Sequence, residues 1–129
     1  MQQNYKPQAN LSEQMEQCIQ DCLDCHRLCL GLVTHCLSMG GEHAEAAHIR
    51  LLLDCAQMAQ TATDFMTRNS ELHGRICLIC AEVCEHCAQN CEQLMDDDAQ
   101  MKACAEACRR AANSCQKMVY DSSALGSYA

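Results

Sequence analysis

Thirteen of the fourteen cysteines in this chain recur at helical spacing, and that recurrence decides what the chain can fold into. They form three sets: Cys18, Cys22, Cys25, Cys29 and Cys36; Cys77, Cys80, Cys84, Cys87 and Cys91; Cys104, Cys108 and Cys115. Nearly every step is three, four or seven residues. At about 100° per residue, each set falls within an arc of roughly 80° on its own helix. Cys55 stands alone on a fourth segment. Helices that carry such stripes bury them by packing stripe against stripe, which lines the centre of a bundle with sulfur.

The punctuation of the chain agrees with four helices. The one proline, Pro7, precedes everything helical, so residues 1–9 read as a tail. Asn10 with Glu13 three residues later reads as a capping box opening a helix that runs to Met39, where Gly40 and Gly41 stop it. A second helix is expected over 42–69, with Ala44, His48, Leu51, Cys55, Met58 or Ala59, Ala62 and Met66 on its inward line. A third is expected over 71–95. Asp96, Asp97 and Asp98 make a turn that also supplies an N-cap and negative charge to a fourth helix over 98–120. Residues 121–129 read as a loose end. Long helices joined by short turns imply an all-α, antiparallel up-down-up-down four-helix bundle, one domain over 10–120. Folded this way, Cys18 lies level with Met66, Cys77 and Cys115. Cys25 lies level with Cys55, Cys84 and Cys108. Cys36 lies level with His48, Cys91 or Met95, and Met101.

Charge and redox context narrow the function. Nine basic against seventeen acidic residues leave a net charge of −8, which opposes binding to nucleic acid or anionic membrane. No segment is apolar for long enough to span a bilayer. So many cysteines would suit a disulfide scaffold in a secreted protein. However, the first seven residues hold no apolar signal segment, which predicts a cytoplasmic location. Neighbouring turns such as those of Cys18 and Cys22 also have little to gain from a bridge, and their Cβ vectors are poorly aimed for one.

A Cys-x3-Cys pair on a helix sets two sulfurs side by side over one turn. The chain has five such pairs: 18/22, 25/29, 80/84, 87/91 and 104/108. Cu(I) is soft and accepts two or three thiolates, whereas Zn(II) wants four ligands around each ion. Fourteen thiolates in a dry core would be very costly, so the metal-free form is expected to hold neutral thiols. Each Cu(I) that enters displaces protons and cancels one thiolate charge. With bridging sulfurs, neutrality is approached near one ion per thiol, a capacity on the order of ten Cu(I) ions. All fourteen cysteines are therefore candidate ligands. Met39, His43, His48, Met95 and Met101 are expected to gather at one end, as further ligands at a mouth. His73, Met15, Phe65, Met66 and Met118 fall at the other end, which reads as an apolar plug. His26, His35 and His86 read as surface or boundary residues. Leu23, Leu30 and Leu37 flank the first stripe at seven-residue steps and are candidates for helix packing or a subunit contact.

Several segments carry a family likeness. They are His43-x4-His48, Leu52-Leu53-Asp54-Cys55-Ala56, Phe65-Met66, the run from Ile76 to Cys87 (ICLICAEVCEHC), and Cys104-Ala105-Glu106-Ala107-Cys108-Arg109-Arg110. With these the chain resembles the bacterial four-helix-bundle copper storage proteins, in particular their cytosolic branch, over about residues 11–118. The resemblance implies a non-enzymatic store of many Cu(I) ions on inward cysteines, a His/Met-lined mouth and a homo-oligomer, commonly a tetramer. Many members carry further inward cysteines where this chain has Ala59, Ala62, Met101 and Ala111, which implies a lower capacity beside the second helix.

Three rivals come from the residues themselves. Cys77-x2-Cys80-x3-Cys84 resembles ferredoxin spacing, although iron–sulfur ligands usually wrap a cluster from loops. Glu45-x2-His48 is half of a di-iron motif, but a second Glu-x2-His is lacking. A zinc or thiol buffer would use the same sulfurs.

Overall fold

The computed structural model describes residues 11–121, and of Tyr120 and Asp121 it describes the backbone only. Four helices account for nearly all of this span: α1 (Glu13–Met39), α2 (Ala46–Thr67), α3 (His73–Leu94) and α4 (Ala99–Asp121). Each packs on the next and α4 returns onto α1, so the helices stand in a ring around one core. Short connections between long helices make this a four-helix bundle.

The ends show how local chemistry sets the boundaries. Ser12 caps α1, its hydroxyl accepting from Met15 N at 3.0 Å. The expected cap, Asn10, lies outside the described residues. Gly40 and Gly41 both take positive φ, 72° and 57°, where a side chain would be strained, and α1 stops there. The second helix does not begin at Glu42 as expected. Gly41–Ala44 forms a 3-10 turn, and α2 starts only after the extended Glu45. At its far end α2 closes at Thr67, because Asn69 turns left-handed at φ 53°. Asp98 caps α4 as expected: its Oδ1 accepts from Gln100 N at 3.0 Å and Met101 N at 3.2 Å. Asp98→Ala is expected to lower stability by about 1 kcal/mol, read as a lower midpoint in thermal unfolding.

The core is built of small and sulfur-bearing side chains. All fourteen cysteines are buried, alongside Ala56, Ala59, Ala62, Ala81, Ala88, Ala111 and Ala112. Among the described residues only Leu32 and Leu52 are buried leucines. The inward line of α2 therefore runs His48, Leu52, Cys55, Ala59, Ala62, Met66, in steps of four and three. Leu51 and Met58 are half-buried beside it. Polar clasps hold the helices together. Asp21, buried between α1 and α4, accepts from Gln17 at 3.0 Å and from the Ser114 hydroxyl. Arg109 forks onto Glu92 between α4 and α3. No described helix is long and apolar enough to cross a membrane.

Candidate metal centre

Every cysteine is a free thiol, and the stripes meet on the bundle axis. The hub is Cys25 on α1. Its Sγ lies 3.6 Å from Cys55, 3.7 Å from Cys108, 3.9 Å from Cys84 and 4.0 Å from Cys29. Four helices thus contribute to one cluster. Towards the turn between α1 and α2, Cys29 Sγ stands 3.6 Å from Cys104 and 3.7 Å from Cys108. In the other direction Cys115 Sγ stands 3.6 Å from Cys22 and 3.7 Å from Cys18. Cys77 completes one trio with Cys18 and Cys115, and Cys80 another with Cys22 and Cys115. Cys80 joins this region to the hub through Cys84, 3.8 Å away. Cys87 and Cys91 are buried on α3 above the hub, where both feel Cys104.

These separations are van der Waals contacts between thiols, about twice a disulfide bond length. A metal–sulfur bond of about 2.3 Å puts two sulfurs of a trigonal site about 4 Å apart, so the spacing suits a bound ion with little movement. Donor count discriminates where spacing does not. Among the described residues only Cys25, Cys29, Cys55 and Cys108 form a compact foursome; the other compact groups are trios, Cys25, Cys55 and Cys84 among them. Three-coordinate soft ions fit every one of these groups, and a tetrahedral thiolate ion fits one.

Electrostatics within the clusters divide the thiols into donors and acceptors. Neighbouring S–H groups, Cys108 first, stabilise the Cys104 thiolate and pull it down to about 5. Cys55 is drawn down to about 3, again chiefly by Cys108. Cys108, their shared neighbour, is driven far up, first by Cys104 and then by Cys25. These opposite directions are the two sides of shared S–H···S contacts, and the cost of charge in a dry core still favours neutral thiols in the metal-free form. Cys36 lies apart from the clusters and is simply pushed up to about 11, by burial first and then by the Asp98 charge. A thiol raised in the folded state favours folding below its unfolded pKa and ceases to do so as pH climbs through the raised value. The metal-free protein should therefore lose stability between about pH 9 and 11. Cys36→Ser should flatten that part of the curve in denaturant melts at stepped pH.

The end beside the α1–α2 and α3–α4 turns carries nitrogen and thioether donors. Cys36 Sγ is 3.3 Å from His48 Nε2 and 3.6 Å from Met101 Sδ, all three residues buried. Outside them, Met39, His43, Leu94, Met95 and Asp96 to Asp98 line an open hollow of about 380 Å3. His43 Nε2 is buried without a hydrogen-bond partner, alone in this among the buried side-chain N and O atoms described. A buried nitrogen that makes no hydrogen bond, with Asp98 Oδ2 4.0 Å away, suits a ligand role. Asn90 escaped the sequence reading, as did the pairing of His35 with Asp98. His35 bonds Asp98 Oδ2 at 2.6 Å, and that bond, ahead of the Met101 N–H, holds the Asp98 carboxyl below its usual range. Asn90 receives His48 at 2.5 Å. His26 and His73 bond backbone carbonyls of Ala56 and Ser70, and His86 is exposed. At the far end Met15, Met66 and Met118 are buried, with Phe65 half-buried under Arg68.

The geometry has close counterparts among known proteins. The family model described as copper storage protein matches residues 11–120. This chain belongs to the copper storage protein family. A solved protein from Nitrosospira multiformis is 41% identical, with a TM-score of 0.79 over 84% of this chain and 96% of its own. The Cu(I)-bound copper storage protein BsCsp3 of Bacillus subtilis is 34% identical, with a TM-score of 0.76 over 83% of this chain and 99% of its own. A cytosolic copper storage protein from Streptomyces lividans, solved with five coppers, is 26% identical, with a TM-score of 0.73 over 84% of this chain and 93% of its own. Membership weighs against the rival readings, and the structure adds its own objections. Cys77, Cys80 and Cys84 lie on one unbroken helix, and Glu45 is exposed outside α2, facing no partner Glu-x2-His.

Proposed function

We propose that this member of the copper storage family is a non-catalytic cytoplasmic store that holds on the order of ten Cu(I) ions on its fourteen cysteines. The observation that carries the reading is the convergence of fourteen buried, unbridged sulfurs on one axis. Each thiol that binds loses its proton, so each Cu(I) enters with little net change of buried charge. Cys18, Cys22, Cys77, Cys80 and Cys115 serve one end of the column. Cys25, Cys29, Cys55, Cys84 and Cys108 serve the middle, and Cys87, Cys91 and Cys104 the stretch above it. Cys36, His48 and Met101 form the inner mouth, and Met39, His43 and Met95 the outer one. The cytosolic description of the Streptomyces relative supports the location. Exposed Leu30 and Leu37 support a homo-oligomer, with a tetramer as the expected state. Sequestration of excess copper is the primary role, and supply to copper enzymes a second.

Anaerobic titration against a Cu(I)-selective chelator tests this. The protein should win copper from the chelator until about ten ions are bound per chain, with loss of thiol reactivity. An endpoint at one or two ions would refute storage.

A further inference from the structure

At the mouth, the four helices bring together Cys36 from α1, His48 from α2, Asn90 from α3 and Met101 from α4. Cys36 and Met101 turn sulfur towards the same point, and His48 Nε2 faces the Cys36 sulfur at 3.3 Å. For that nitrogen to bind a soft cation its lone pair must be free, so the ring proton must sit on Nδ1. Asn90 Oδ1 lies 2.5 Å from Nδ1. A carbonyl oxygen only accepts, so this contact holds the proton on Nδ1. His48 is 3% exposed, so water competes little for the ring. Without the Asn90 acceptor the proton can move to Nε2, where it would point at Cys36 and cover the lone pair.

We infer that Asn90 is a positioning residue for copper capture: it fixes the His48 tautomer and ring plane so that Nε2 joins Cys36 and Met101 as the donor set of the inner mouth. The inference deepens the storage reading and rests on it for the identity of the ion. It assigns to Asn90 a task that its place in the sequence, one residue off the α3 stripe, does not suggest. Partners of this kind typically change metal affinity or activity by 10–100-fold when removed.

The test compares wild type with Asn90→Ala and Asn90→Asp. The first readout is made on metal-free protein: 15N-detected correlation of the imidazole nitrogens. Wild type and Asn90→Asp should carry the His48 proton on Nδ1, since both offer an acceptor oxygen, and Asn90→Ala should carry it on Nε2. The second readout is the stopped-flow rate at which a chelated Cu(I) donor gives up its first ion. It should fall about tenfold in Asn90→Ala and return in Asn90→Asp, with total capacity unchanged. A purely structural role for Asn90 would leave the tautomer alone and would not be rescued by Asp. The proposal is overturned by a wild-type His48 protonated on Nε2, by an Asn90→Ala protein that keeps the Nδ1 proton, or by an unaltered capture rate. The tautomer is read without copper, so it judges Asn90 even if the wild-type titration were to refute storage.

Discussion

Replacing Cys80, Cys84, Cys87 and Cys91 together with serine should remove at least four Cu(I) ions of capacity while leaving a helical bundle. These four sulfurs are the α3 wall of the column from the Cys22 trio, past the hub, to the level of Cys104. Serine keeps nearly the same shape but offers a hard oxygen in place of a soft thiolate, so Cu(I) loses its partner while the packing survives. The hydroxyls can bond the carbonyl one turn back, as the buried Thr63 already does to Ala59 at 2.9 Å. A lower melting midpoint is expected, since buried hydroxyls cost about 1–3 kcal/mol each when left unpaired. Copper counted per chain, alongside far-ultraviolet circular dichroism, checks both halves. A folded variant with full capacity would remove these four residues from the site.

Zinc provides the second large effect. The same column that holds on the order of ten Cu(I) ions should hold about one tightly bound Zn(II). Among the described residues only Cys25, Cys29, Cys55 and Cys108 gather four sulfurs within a single ion's reach. Four thiolates around a divalent ion also leave two negative charges in a dry core, a cost that Cu(I) with bridging thiolates avoids. Anaerobic loading with zinc, followed by Cu(I), should show the zinc expelled and the full copper capacity reached. Several zinc ions per chain that resist displacement would favour a zinc buffer instead.

What the sequence disclosed and what it withheld follow from the same geometry. A helix has one period, so stripes such as Cys77–Cys91 identify their inward face without any knowledge of a partner. Short turns then fix which ends are adjacent, and the sets Cys18/Cys77/Cys115 and Cys25/Cys55/Cys84/Cys108 follow by counting. One cysteine among alanines and leucines defines the inward angle of α2 poorly, so the sequence points to Leu51 where Leu52 faces the core. The 3-10 turn at Gly41–Ala44 was hidden by helix-favouring Glu42 and Ala44. Asp98 was legible only in part, and Asn90 not at all. Asp98 was readable as a cap, from its own neighbours. Its bond to His35, 63 residues away, and the bond between Asn90 and His48, 42 residues apart, exist only once the helices are side by side. Polar residues one step off an apolar stripe have no periodic signature of their own.

The central claim is that copper lies inside the bundle, on sulfur. A structure of the Cu(I)-loaded protein with anomalous scattering recorded across the copper edge tests it most directly. It should show a file of copper peaks along the axis, each touching two or three cysteine sulfurs and the outermost within reach of His48. Copper confined to surface histidines, or inward cysteines joined as disulfides, would contradict the account.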